Sequence, residues 1–327
     1  MRDRRLQVSL AVFVALLLVP AVIRDVFLLR VLTEGVMWIG LAVAFDALAG
    51  YTGYLNFGHS AFFGIGAYAT AILMMKAGWP FAAAAAAGGV VGGLCAVVAG
   101  LPTLRLRGAY FAIATWALSR GVQQAALMMD LTGGPDGMRL TAFLHPQFFY
   151  WVMLGVVGAT FFLFWFLLER APFGLKLKAI REDELGAKAL GLDPTRLKLQ
   201  AFVLSAVPTA VLGGVFAYWV TFIDPASALG DLVSDQALVM VVFGGMGTLI
   251  GPVVGAVVIF AFKTVFWAYL SDYEVLYLII LGALIALSVV FLPNGLLGAR
   301  LRSRPRTRPP AAEGAAAPAP ATGKEVA

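Results

Sequence analysis

The chain has 327 residues, of which 61% are hydrophobic and 13% charged, and its mean hydropathy is +0.89. A soluble domain is about 45–50% apolar and about 25% charged, so this balance excludes a soluble enzyme, a disordered protein and a nucleic-acid module. The single cysteine, Cys95, excludes a disulfide framework and a cysteine-based zinc site.

A bilayer core needs about 20 apolar residues per helix. In chain order the apolar runs are Leu6–Ile23, Val31–Gly50, Leu55–Met75, Phe81–Leu101, Gly108–Met129, Phe148–Leu168, Leu199–Phe222, Leu232–Met246, Pro252–Leu270 and Val275–Leu292. The first follows Arg2, Arg4 and Arg5 as a signal-peptide core would. It is long enough to span, and no small-residue cleavage pattern precedes Arg24, so it reads as a retained helix. The eighth is short and ends in a glycine-rich break. Charge sets the count: Arg105, Arg107, the 169–198 loop and the arginines at 300, 302, 304, 306 and 308 all fall on the N-terminal side only with an even number of crossings. The predicted fold is therefore all-α and polytopic, with about ten transmembrane helices over residues 1–300 and both termini cytoplasmic. Residues 301–327, rich in Pro, Ala and Gly without helical period, are predicted to be a disordered cytoplasmic tail.

Glycines cluster at Gly58, Gly64 and Gly66 and again at Gly244, Gly245, Gly247, Gly251 and Gly255. Paired Gly-interrupted segments in two halves of a transporter point to a pathway; tight helix packing accounts for the same glycines equally well. Tyr51, Tyr54, Asn56, His59 and Ser60 stand beside the first cluster and offer polar groups to a solute. His59 reads either as a proton relay or as a hydrogen-bonded packing residue. Asp46 is the one acid well inside the second run. It is a functional candidate by cost, with snorkelling to the interface near Gly50 as the simpler reading. Lys263 and Arg120 read as interfacial or paired. The outer loop 130–147 carries TGGPDG, whose residues Thr132, Gly133, Gly134 and Asp136 suit tight turns and also face the side from which a solute would arrive.

The segment 169–198 carries 12 charges in 30 residues. Pro172 and Gly174 end the preceding span. A short helix from about Arg181 to Leu190 has acids in its first turn, where the helix dipole favours them. Gly191 stops it, and Asp193 caps the next span with Pro194 in its first position. A solvated loop would carry the same charges but needs no pair of capped helix boundaries; a docking element does.

The run REDELGAKALGL over residues 181–192 resembles the coupling loop of bacterial ABC importer permeases. GYTGYLNFGHSAFFGIGAY (50–68), LRGAYFAIAT (106–115), TGGPDG (132–137) and VFGGMGTLIGPVVG (242–255) resemble the branched-chain amino acid permease family, most nearly its M-type (LivM) branch. The resemblance covers residues 30–298 in order, with one departure at Asn56, where the family pattern carries Ser. It implies a translocating subunit of an ATP-driven importer in the bacterial inner membrane. The implied partners are a second related permease, two ABC ATPases, an external binding protein and the lipid bilayer. It implies ATPase contact through Arg181, Glu182, Glu184, Gly186, Ala187, Ala189, Leu190 and Gly191. The substrate is less narrowly marked, because related permeases carry urea, short amides or aromatic acids as well as branched-chain amino acids. No phosphate-binding Gly-x-x-x-x-Gly-Lys-Ser/Thr loop and no nucleophile–base pair occurs, so no catalytic residue, cofactor or metal is expected. An ion-coupled carrier is the competing class, and it would need intramembrane carboxylates beyond Asp46.

Overall fold

The computed structural model describes residues 13–21, 25–270, 279–280, 282–283 and 295–296. Much of the expected first and last spans, and the whole 301–327 tail, lie outside them. Six helices are long and apolar enough to cross a membrane: Val26–Thr52, His59–Ala77, Phe81–Thr103, Pro146–Arg170, Pro194–Val220 and Pro225–Gly244. Against the ten expected, six such helices stand among the described residues.

Helix α1 (Val26–Thr52) starts five residues before the expected span because Asp25 caps it, accepting from the Leu28 N–H at 3.0 Å. It ends at Gly53 in the left-handed region (φ 79°). Residues 53–58 are not helical, so α2 (His59–Ala77) begins later than the expected Leu55. Helix α3 (Phe81–Thr103) and helix α4 (Ala109–Met128) follow; α4 does not stand among the six apolar spans. Helix α5 (Pro146–Phe164) runs on through a π-helical turn, Trp165–Arg170. Residues 13–21 are helical and lean on it: the Tyr150 hydroxyl donates to the Leu16 carbonyl at 2.9 Å.

Pro172 opens a helix rather than only closing the preceding span. Helix α6 (Pro172–Glu182) precedes a bend at Asp183, then α7 (Glu184–Ala189) and the long α8 (Pro194–Val220). The expected single run from Arg181 to Leu190 is thus two helices, because the Asp183 side chain accepts from the Leu185 N–H at 2.9 Å and caps a second start. Both later boundaries fall as expected. Gly191 has φ 83°, with Leu192 N–H bonding Ala187 at 3.1 Å. Asp193 accepts from Arg196 N–H at 3.1 Å.

A two-stranded ribbon closes the far end of the bundle, β1 (Met138–Arg139) pairing antiparallel with β2 (Phe222–Ile223), Met138 opposite Ile223. The expected short eighth span is instead α9 (Pro225–Leu229) and α10 (Leu232–Gly244), broken at Gly230. A capping box explains the earlier start: Asp224 accepts from Ser227 N–H at 3.0 Å while Ser227 Oγ accepts from Asp224 N–H at 3.3 Å. Helix α11 (Ile250–Leu270) follows. The core is built on α1 and α8. One apolar cluster joins α1 to α5, α10 and α11, a second joins α1, α2 and α8 to α6, and a third sits beneath the ribbon.

Candidate functional site

Three polar clusters follow from this architecture, and the first lies where α6 and α7 meet the bundle. Arg181 ends α6 and its Nη1 donates to the carbonyl of Gly50 near the end of α1, with its guanidinium also against Gly247. Glu184 accepts from the Tyr54 hydroxyl at 2.8 Å and from Lys198 Nζ at 2.9 Å, and Arg107 stands 3.7 Å away. Lys198 Nζ also donates to Tyr54 Oη at 2.9 Å and to the Leu104 carbonyl at 3.3 Å. Burial alone would raise the Glu184 carboxyl. The hydrogen bonds from Lys198 and Tyr54 and the charges of Lys198 and Arg107 outweigh it and hold the group below the usual carboxylate range. Tyr51 donates to Glu169 at 2.7 Å, and Lys178 Nζ stacks 4.6 Å from the Tyr51 ring centre.

The charged members of the expected coupling set therefore do not all face outward. Arg181 and Glu184 bind back onto the bundle, and Ala187 is buried. Gly186 packs on its own cap Asp183. Glu182, Ala189, Leu190 and Gly191 are exposed. Leu185, 65% exposed, and Leu190, 84% exposed, form an outward apolar edge on a mixed-charge surface. Lys198, Glu169 and Lys178 were not singled out from sequence. The available signal for Lys198 is a lysine at the fifth position of a long apolar helix, but its partner Glu184 lies 14 residues back, across a helix boundary.

The second cluster lies at the two breaks, 53–58 and 245–249. Asp46 is buried and does not snorkel. Its Oδ1 accepts from the Gly247 N–H at 2.9 Å, so an acid of α1 satisfies a backbone donor that the break between α10 and α11 has exposed. Asn56 Oδ1 accepts from Gly58 N–H at 2.9 Å. His59 Nε2 and Thr209 Oγ1 are 2.8 Å apart. Thr209 Oγ1 also lies 2.8 Å from the Ser205 carbonyl. His59 Nδ1 has no hydrogen-bond partner among the described residues. Ser60 N–H, an orphan donor at the start of α2, is taken by Ser234 Oγ of α10 at 2.8 Å. Ser60 and Ser119 hydroxyls meet at 2.9 Å.

The glycines of both clusters sit at close contacts between helices. A Cβ on Gly64 would meet Leu229 of α9, and one on Gly66 the backbone of Ala210 on α8. One on Gly58 would come within 2.7 Å of the Thr115 carbonyl. Gly244 abuts Gly251 and Gly255, and Gly245 lies against Gly251. His59 and Ser60 are thus brought together with Ser119, Thr209 and Ser234, with Asn56 and Gly58 just before them, while Tyr51 stands apart on Glu169 and Lys178 and Gly247 adjoins Asp46 nearer α6. An apolar groove of about 680 Å³ lies elsewhere, on the side of the bundle between α3, α5 and α8.

At the opposite end the 130–137 loop is tightly self-bonded. Thr132 Oγ1 lies 2.6 Å from the Ala126 carbonyl and 2.7 Å from that of Met129, two acceptors for its one proton. Gly133 and Gly134 take positive φ (79° and 55°), and Gly137 packs on the Ile223 carbonyl of the ribbon. Asp136 is exposed and Thr132 is buried.

Apolar helices packed through glycine, interrupted twice where polar side chains meet, and fastened to a charged helical pair at one end, define a polytopic membrane permease. The chain belongs to the family described as branched-chain amino acid transport system / permease component, whose model matches residues 27–289. The high-affinity branched-chain amino acid transport system permease protein LivM of Salmonella typhimurium is 31% identical, covering 85% of this chain and 70% of that protein. The LivH permease of Escherichia coli is 25% identical, covering 81% of this chain and 92% of its own. The fructose import permease protein FrcC of Rhizobium meliloti is 27% identical over 39% of this chain. No solved structure matches.

Proposed function

We infer that this chain is the translocating subunit of an ATP-driven importer that carries branched-chain or closely related amino acids across a bacterial inner membrane, with both termini cytoplasmic. It works beside a second related permease, receives substrate from an external binding protein at the 130–147 end, and docks two ATPases through α6 and α7. The observation that carries this reading is the fastening of those helices. Arg181 and the Glu184–Tyr54–Lys198 cluster tie them to α1, α3 and α8, while Leu185 and Leu190 stay exposed. A push on the outer edge of α7 is thereby transmitted to the end of α1, and from Gly50 and Asp46 to the break at Gly247. Amino-acid substrates are favoured by family membership and by the similarity to LivM.

The test replaces Leu185 and Leu190 with Asp, which leaves the inward contacts of α7 in place, and measures co-purification with the ATPases. Loss of the ATPases with unchanged thermal unfolding is expected. Retention of both ATPases, with full substrate-stimulated ATP hydrolysis, would overturn the docking assignment. The substrate is tested on the cognate binding protein with leucine, urea and acetamide: a preference for leucine is expected, and its absence would reject amino-acid transport while leaving the importer class standing.

A further inference from the structure

We propose that Arg120 and Asp231, with Trp116 and Asp235, form a binding site for the ammonium and carboxylate groups of the transported amino acid. The proposal rests on the reading of the chain as an amino-acid permease and locates the ligand within it.

Helix α4 runs the full depth of the bundle. At its start Arg107 approaches Glu184 of α7, and at its end the chain enters the 130–137 turns beneath the ribbon. At about 1.5 Å per residue, Arg120 lies about 17 Å along α4, past the midpoint of the helix. A guanidinium at that depth is costly unless it faces a partner or water, and such residues mark solute pathways. Arg120 pairs with Asp231; its side chain is 44% exposed and that of Asp231 21% exposed, with Asp231 Oδ1 on the buried side.

Asp231 sits at the interruption between α9 and α10. Irregular backbone at membrane depth is tolerated only against protein or a water-filled space. Gln123 Nε2 donates to the Pro225 carbonyl at 3.0 Å and fixes α4 against this break.

The hydrogen bonding is asymmetric. Trp116 Nε1, at 3.1 Å, and Arg120 both donate to the same oxygen, Oδ2 of Asp231, while Oδ1 has no partner among the described residues. Arg120 gives one further bond, 2.6 Å to Gln123 Oε1, which leaves donors of its five-donor fork unused. Asp235 stands one turn beyond Asp231 on α10 and feels both Asp231 and Arg120. The Asp231 carboxylate is suited to an ammonium, and the guanidinium to a bidentate carboxylate. A zwitterion can therefore exchange partners with the pair without adding net charge at this depth. Ile113, Trp116 and Arg120 follow one face of α4, and Ile113, Trp116 and Leu232 beside Asp231 are exposed. That apolar rim suits a branched aliphatic side chain.

The test uses the assembled transporter in proteoliposomes, with the companion permease, both ATPases and leucine-loaded binding protein. Arg120→Gln and Asp231→Asn are each expected to lower leucine uptake at least about tenfold, the loss of a charge-assisted contact, with subunit assembly unchanged. The exchange R120D/D231R re-forms the ion pair with its polarity reversed; it is expected to restore thermal stability to any single variant that lost it, but not uptake. Uptake within about twofold of wild type in both single variants would overturn the site. So would recovery of uptake by the exchange, or failure of the single variants to assemble, because either makes the pair a structural contact. If the wild-type assembly binds no ATPase or moves no leucine, the permease reading itself fails, and that result is distinct from all of these.

Discussion

The Glu184 carboxylate on α7 meets the Lys198 ammonium on α8 at 2.9 Å, and Lys198 is only 2% exposed. All three protons of that ammonium are placed, on Glu184, on Tyr54 and on the Leu104 carbonyl. A buried charge is tolerable when it is paired and fully hydrogen-bonded. The arrangement makes α7 part of the bundle rather than an appendage of a loop. Lys198→Met keeps the volume but strands Glu184, one-fifth exposed, beside Tyr54. The expected cost is toward the lower end of about 3–5 kcal/mol, read as a lower unfolding temperature. Glu184→Gln keeps an acceptor but leaves the buried Lys198 ammonium without its counter-charge, and is expected to cost at least as much. Equal stability of K198M and wild type would refute the role of the clasp.

The same clasp gives a pH dependence of definite sign. The folded-state pKa of Glu184 is lowered from its usual 4.5. Its contribution to stability is therefore complete above the unfolded-state value and is lost as pH falls through the lower, folded-state value. Wild-type protein is expected to lose stability below about pH 4.5 more steeply than E184Q, which has no proton to gain there. Thermal melts of the two proteins from pH 6 to pH 3.5 check this; parallel curves would show that Glu184 is not the responsible group.

Much of this end of the molecule was legible in the sequence because caps and stops are local. Asp193–Pro194 and Gly191 are signals spanning a few residues, and both boundaries stand where those residues place them. The Asp183 cap splits the expected helix because an aspartate before Glu184 reads equally as first-turn acid or as cap, and the side chain's choice depends on the Leu185 N–H being free of α6. The direction in which Arg181 and Glu184 point was not legible. Their partners Gly50 and Tyr54 lie about 130 residues away, at separations of 131 and 130, and nothing in the local pattern encodes such a pairing. Asp46 illustrates the same limit: its distance from Gly50 suits snorkelling, but the donor that holds it is Gly247, 201 residues on.

Asp46 offers a clean separation of charge from hydrogen bonding. Only Oδ1 is engaged, by the Gly247 N–H, and Oδ2 has no partner among the described residues. Asp46→Asn presents an amide oxygen to the same donor and is expected to fold and transport with stability within about 1 kcal/mol of wild type. Asp46→Leu leaves the buried Gly247 N–H without an acceptor, at an expected cost of about 1–3 kcal/mol. Thermal unfolding with an uptake assay distinguishes the cases. If D46N abolishes uptake while remaining as stable as wild type, the carboxylate itself acts in transport and the purely structural assignment is wrong.

Two glycines in equally apolar helices should respond in opposite ways to one added methyl group. A Cβ at Gly66 on α2 would strike the backbone of Ala210 on α8, and backbone cannot yield as a side-chain tip does. Gly66→Ala must therefore push α2 away from α8, also disturbing Gly88 of α3, which packs against the Gly66 carbonyl. Small residues at such crossings allow the close approach on which helix packing in lipid depends, and overpacking here is expected to cost about 1–3 kcal/mol. Gly155 on α5 has no atom within 4 Å of the corresponding position, so Gly155→Ala is expected to be neutral or slightly stabilising. Reversible unfolding of both variants in mixed micelles measures the difference. Similar behaviour of the two would mean that the glycines near Gly66 are not there for packing, and would return the α2 cluster to consideration as pathway lining.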